Sequence, residues 1–124
     1  MLKPTRPFEQ IFVFITGFNT VDDGEIIALL SLDAYSEFAF NPILERKPAN
    51  DSDLFLILNK CFTSILNQYN PLIHPETVTF VTNLPEETEP AIKALIPKNH
   101  KLVFNSDATY AAMKPLISHF KNVL

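Results

Sequence analysis

Apolar and polar positions alternate with two different periods along this chain, and the change of period divides it. From Asp51 to Tyr69 the apolar residues Leu54, Ile57, Leu58, Cys61, Ile65 and Tyr69 recur every three or four positions. Phe55, Phe62 and Leu66 widen that stripe, and Asn59, Lys60, Thr63, Ser64, Asn67 and Gln68 fill the opposite side. This spacing predicts an amphipathic helix whose broad face packs on a sheet. Asp51 or Ser52 is the expected N-cap, with Asp51 and Asp53 set against the positive end of the helix dipole. Asn70-Pro71 is the expected stop, because the residue before proline is pushed out of the helical region.

Before this helix the pattern is strand-like. Gln10 to Asn19 is a nearly continuous apolar run, suited to a central strand covered on both faces. Val21-Asp22-Asp23-Gly24 reads as a hairpin turn and Glu25 to Leu32 as the second strand. Tyr35 to Phe40 alternates and predicts a third strand, ended by Asn41-Pro42, with a polar loop over 45–50. After the helix, Thr77 to Thr82 predicts a strand and Glu86 to Ile96 a helix with Pro90 in its first turn. Lys101 to Asn105 predicts a last strand. Ser106 or Asp107 is expected to cap a final helix bearing Tyr110, Met113, Leu116, Ile117, Phe120 and Leu124, kinked or split at Pro115. The resulting βββαβαβα order implies an α/β domain with a mixed sheet, an antiparallel meander followed by parallel strands. One domain over 1–124 is expected, with 1–8 as an extended arm and 9–124 as the core.

Composition narrows the function classes. The chain has 124 residues, 47% of them hydrophobic, which excludes a disordered segment. No apolar run reaches membrane-spanning length, and the first residues lack a signal-peptide core, so a cytoplasmic protein with no membrane partner is expected. A formal charge of −4 without a basic stripe argues against unaided nucleic-acid binding. The single cysteine, Cys61, falls on the apolar stripe, where a buried thiol is expected; it cannot form a zinc site with His74, His100 and His119 dispersed along the chain. Only two glycines occur, Gly17 and Gly24, so there is no phosphate-cradling loop. Asp22 and Asp23 belong to a turn at the opposite end of the hairpin from Asp33, and Glu86, Glu87 and Glu89 suit a helix start.

The order of elements resembles the ribonuclease H-like superfamily, in particular the catalytic cores of retroviral-type integrases and DDE transposases. The likeness spans about residues 11–120. It rests on FITGFNT (14–20), the Asp-Gly turn in DDG (22–24), and the EIIALLSLDAYSEFAF stretch (25–40). Within the last, Asp33-Ala34-Tyr35-Ser36 matches the family's turn into its third strand, with Glu37 where arginine is usual. The resemblance implies a five-stranded sheet in order 3-2-1-4-5. It also implies phosphoryl transfer by two divalent ions held on three carboxylates. Carried over by position, the first-strand aspartate falls at about Gly17 and the fourth-strand aspartate at Asn83, while no acid lies between Ala108 and Leu124. A rival register makes Asp107 the second ligand, and Asp33 is the other remaining candidate. The expectation is a degenerate core without cofactor, a non-catalytic interaction or structural module of mobile-element origin that binds a protein partner or itself. Nucleic acid enters as a partner only through the resemblance. One alternative is an active polynucleotidyl transferase or nuclease using Mg²⁺ or Mn²⁺. The other is a small α/β protein-binding adaptor unrelated to nucleic acid.

Overall fold

Strand β1 (Gln10–Thr20) is the axis of the molecule. In the computed structural model, which describes residues 3–22 and 24–123 and the side chains of all these except 20 and 119–123, β1 has a neighbour on each edge and helices over each face. Ile11, Val13 and Ile15 point to one side, and Phe12, Phe14 and Phe18 to the other. This two-sided burial is why its sequence is nearly all apolar. β2 (Gly24–Asp33) pairs with it antiparallel, from Ile11 opposite Asp33 to Thr20 opposite Gly24. Gly24 takes a φ of 71° where the turn closes, a conformation that needs no Cβ. Asp23 lies outside the described residues, as do Leu124 and the side chains of His119 and Phe120.

β3 (Ile43–Arg46) pairs antiparallel with β2, while β4 (Thr79–Thr82) and β5 (Lys101–Phe104) extend the sheet in parallel on the far side of β1. The order is β3-β2-β1-β4-β5. Helices α1 (Asp51–Leu66) and α2 (Glu89–Leu95) cover one face, around Phe62, Phe80, Leu58 and Ile65. Helix α3 (Ser106–Val123) covers the other, placing Met113 and Ile117 against Phe12, Phe14, Leu30 and Val81.

The third strand is not where the alternation of Tyr35–Phe40 places it. Asp33 captures this stretch instead. Its carboxylate accepts from the backbone N–H of Phe8 at 2.8 Å, the N–H of Ser36 at 2.9 Å and the Ser36 hydroxyl at 2.6 Å. These bonds wind 33–37 into a turn, with Glu37 at a φ of 61°, and only an isolated bridge between Leu32 and Ala39 remains of the expected pairing. Pairing with β2 resumes after Pro42, so Glu45 and Arg46, expected in a polar loop, instead complete an edge strand begun by Ile43 and Leu44.

Both large helices are capped one residue earlier than expected. Asn50 caps α1, accepting from the N–H of Asp53 at 2.9 Å, and the Asp53 carboxylate reaches back to the N–H of Ala49 at 3.2 Å. Asn105 caps α3, accepting from the N–H of Ala108 at 3.0 Å. α1 ends at Leu66, ahead of the proline stop, and Phe55 on its widened stripe is 40% exposed. α3 runs through Pro115 as one helix rather than splitting.

Phe62 and Phe80 are fully buried and meet edge to face at 5.4 Å between ring centroids. Replacing either by alanine is expected to lower unfolding free energy in urea by about 3–5 kcal/mol. Leu72→Ala, at a side chain 90% exposed, is expected to change it by no more than about 0.5 kcal/mol.

Candidate functional site at the carboxyl ends of the parallel strands

β1 outruns β4. Their pairing stops at Val13 opposite Thr82, because the Thr82 hydroxyl accepts the N–H of Leu84 at 3.1 Å and turns the chain toward Pro85. Asn83 fills the gap. Its Oδ1 accepts the N–H of Ile15 at 2.8 Å, and its Nδ2 donates to the Ile15 carbonyl at 2.9 Å. The side-chain amide reproduces one more rung of sheet pairing, which leaves both its ends occupied.

Asn105 does a related job one strand further out. Its N–H donates to the Thr82 carbonyl at 2.9 Å, and its carbonyl accepts from the N–H of Thr109 at 3.1 Å and the Thr109 hydroxyl at 2.7 Å. Thr109 and Thr82 are fully buried. The carboxyl end of the parallel strands is therefore closed by neutral amides and hydroxyls bonded to backbone.

The residue of β1 lying against Asn83 is Ile15. Gly17 stands two residues further along the same face, about 7 Å on at strand rise, opposite Ile27 of β2. A Cβ at Gly17 would meet nothing nearer than the Ile26 carbonyl at 3.8 Å, so the backbone there admits a side chain. Its absence leaves a shallow hollow of about 240 Å³ bordered by Asn19, Glu25, Ile27 and Lys47. Asp107 is exposed in the first turn of α3, where it faces the helix dipole. Asp33 is buried opposite Ile11, on the other side of β1. Three strand spacings separate its strand from β5, roughly 14 Å at about 4.8 Å each. Asp33 and Asp107 are not brought together. Among the described residues, no group of three or more His, Cys, Asp or Glu is placed to hold a metal ion.

Cys61 is buried as its stripe position implies, with Sγ 3.6 Å from the Ser31 hydroxyl. Burial pushes its thiol up to about 11, against the smaller opposing effect of the Ser31 hydrogen bond. Asn83 and the two asparagine caps were not legible as such. The one available signal was an asparagine immediately before each helix, Asn50 and Asn105, a residue type that favours the cap.

No protein-family model matches the sequence, and no curated protein matches it. Solved structures do match by shape. A chain of the simian T-cell lymphotropic virus intasome, determined in complex with PP2A regulatory subunit B56 gamma, matches with a TM-score of 0.58 at 12% identity. The match covers 94% of this chain and 39% of the intasome chain. The fold is ribonuclease H-like. A foamy viral protease-reverse transcriptase in complex with dsDNA also matches, with a TM-score of 0.48 at 7% identity over 87% of this chain and 90% of that one.

At the positions that the family resemblance assigns to metal ligands, the residues present do not fit a pair of divalent ions. Mg²⁺ takes hard, charged oxygen ligands. Gly17 offers no side chain, the Asn83 oxygen is spent on Ile15, and no acid follows Asp107 in the sequence.

Asn83→Asp keeps the acceptor but loses the donor to Ile15, and is expected to cost about 1–3 kcal/mol in urea unfolding. Gly17→Asp alone is expected to be tolerated. Cys61 is expected to resist a thiol reagent at pH 8 in the folded protein and to react on unfolding; rapid stoichiometric labelling of the native chain would contradict its burial. Between pH 9 and 11 its contribution to stability is expected to fall, since the unfolded thiol loses its proton at about 9.0 and the folded one at about 11.

Proposed function

We propose that this chain is a non-catalytic, integrase-core-like scaffold of mobile-element descent, working in the cytoplasm by binding a protein partner or a second copy of itself. The observation that carries the reading is the fate of Asn83. Where the family resemblance puts a metal-binding aspartate, this chain has an amide whose oxygen and nitrogen both serve the sheet. The neighbouring viral intasome is itself found with a protein subunit, which is in keeping with an interaction role. The surface supports it as well. Leu72 and Ile73 are 90% and 66% exposed on the loop after α1, and Tyr35 and Phe38 are each 53% exposed on the turn held by Asp33.

The test is thermal unfolding with and without millimolar Mg²⁺ or Mn²⁺, paired with a DNA-nicking assay in the same buffers. No saturable rise in melting temperature and no metal-dependent cleavage are expected. A ligand at a hundredfold excess over its Kd adds about 2.7 kcal/mol of stability, so a real site would show clearly. A saturable rise followed by cleavage would establish the active enzyme instead.

A further inference from the structure

The connection from α1 to β4 is tied down at both ends by histidine lone pairs. The N–H of Asn70 donates to Nδ1 of His74 at 2.8 Å, and the N–H of Val78 donates to Nδ1 of His100 at 3.0 Å. A ring nitrogen accepts a backbone N–H only when it carries no proton. The rings flank Tyr69, with His74 stacked at 5.8 Å between centroids and His100 edge-on at 5.1 Å. The Tyr69 hydroxyl in turn donates to the Pro75 carbonyl. The N-terminal arm is fastened to the same loop. Phe8 stacks on His74 at 4.1 Å, and the Arg6 guanidinium donates to the Ile73 carbonyl at 3.1 Å.

We infer that His100 is a proton-operated latch that frees the Val78 end of the 69–78 loop in mild acid. Protonating its Nδ1 removes the acceptor and sets one N–H against another. His100 is 7% exposed, its Nε2 has no hydrogen-bond partner, and Phe80 packs its edge at 6.2 Å, so an imidazolium there gains no compensating bond. Burial accordingly holds its pKa below the usual value. The other ionisable groups around the pair are the Tyr69 phenol, the Arg6 guanidinium, and the sequence neighbours Glu76 and Lys101. Among the described residues, no carboxylate bonds to either ring, so no negative partner offsets the charge. The sign follows. The open loop binds protons that the closed loop excludes, so closure is complete above the ordinary histidine pKa and is lost as pH falls through and below it. The exposed Leu72 and Ile73 ride on the part that moves.

Amide hydrogen exchange of the intact chain, followed by NMR from pH 7.5 to 5.0 and normalised to unstructured-peptide rates, tests this directly. Protection of Val78 is expected to fall, by up to about tenfold, by pH 5.5, one unit below the ordinary histidine pKa of about 6.5, while Ile11, Val13 and Val81 hold. His100→Asn places an amide oxygen near the Nδ1 position and cannot titrate, so it is expected to flatten the response of the Val78 amide. The latch is overturned by wild-type protection that stays constant to pH 5.5, by a fall shared equally with β1 and β4, or by the same fall in the asparagine variant. The first two readings need no variant to fold.

Discussion

β1 has eleven residues and β4 has four, and a strand in the middle of a sheet cannot leave buried backbone groups unpaired along the difference. That mismatch governs the carboxyl end of the sheet. Extending β4 is ruled out by Pro85 and by the Thr82 hydroxyl that turns the chain, so one side chain supplies the missing rung. Asn83 suits this because an amide presents one donor and one acceptor, as a peptide unit does. The same economy recurs at Asn105, which joins the end of β4 to the start of α3. Asn105 thus positions α3 over Phe12, Phe14 and Val81 and thereby fixes the second core.

The carboxyl end of the sheet is therefore held together without an ion. Three carboxylates converging on one point repel each other unless cations sit between them. An end closed by amides and hydroxyls has no such debt to settle. Its hydrogen bonds are satisfied within the chain, and they do not depend on an ion being supplied. The cost falls on chemistry: an amide already bonded on both sides offers a divalent ion neither charge nor a free oxygen. These are the physical grounds for reading the chain as a scaffold.

Much of the architecture was legible because burial writes itself into period. The two-sided burial of β1 shows as an unbroken apolar run, the one-sided burial of α1 as a stripe, and the order 3-2-1-4-5 was implied by the resemblance those elements carry. The third strand was not legible. Tyr35 to Phe40 has the right alternation, but one buried carboxylate at Asp33 offers Phe8 and Ser36 better hydrogen bonds than an extended strand would. Periodicity registers apolar faces and is blind to a single polar side chain that overrides them. The candidate site was hidden for the same reason. Position alone made Asn83 a weakened metal ligand, whereas its partner, Ile15, is 68 residues away in sequence and is found only in the folded chain.

The two ends of the parallel strands are closed by different chemistry, and that difference bears on how the molecule moves. At the carboxyl end the acceptors are amide oxygens, which keep their lone pairs across the physiological pH range. At the amino end, where β4 and β5 begin, the N–H of Val78 relies on His100, and the loop leading to it relies on His74. Only imidazole among these acceptors loses its lone pair in mild acid. Acid should therefore loosen the sheet's amino end first and leave the Asn83–Asn105 end intact. Asp33 reinforces the boundary, since it roots the arm at Phe8 and holds the 33–37 turn without using either histidine. Motion is then confined to a segment carrying Leu72 and Ile73, and it leaves the core untouched.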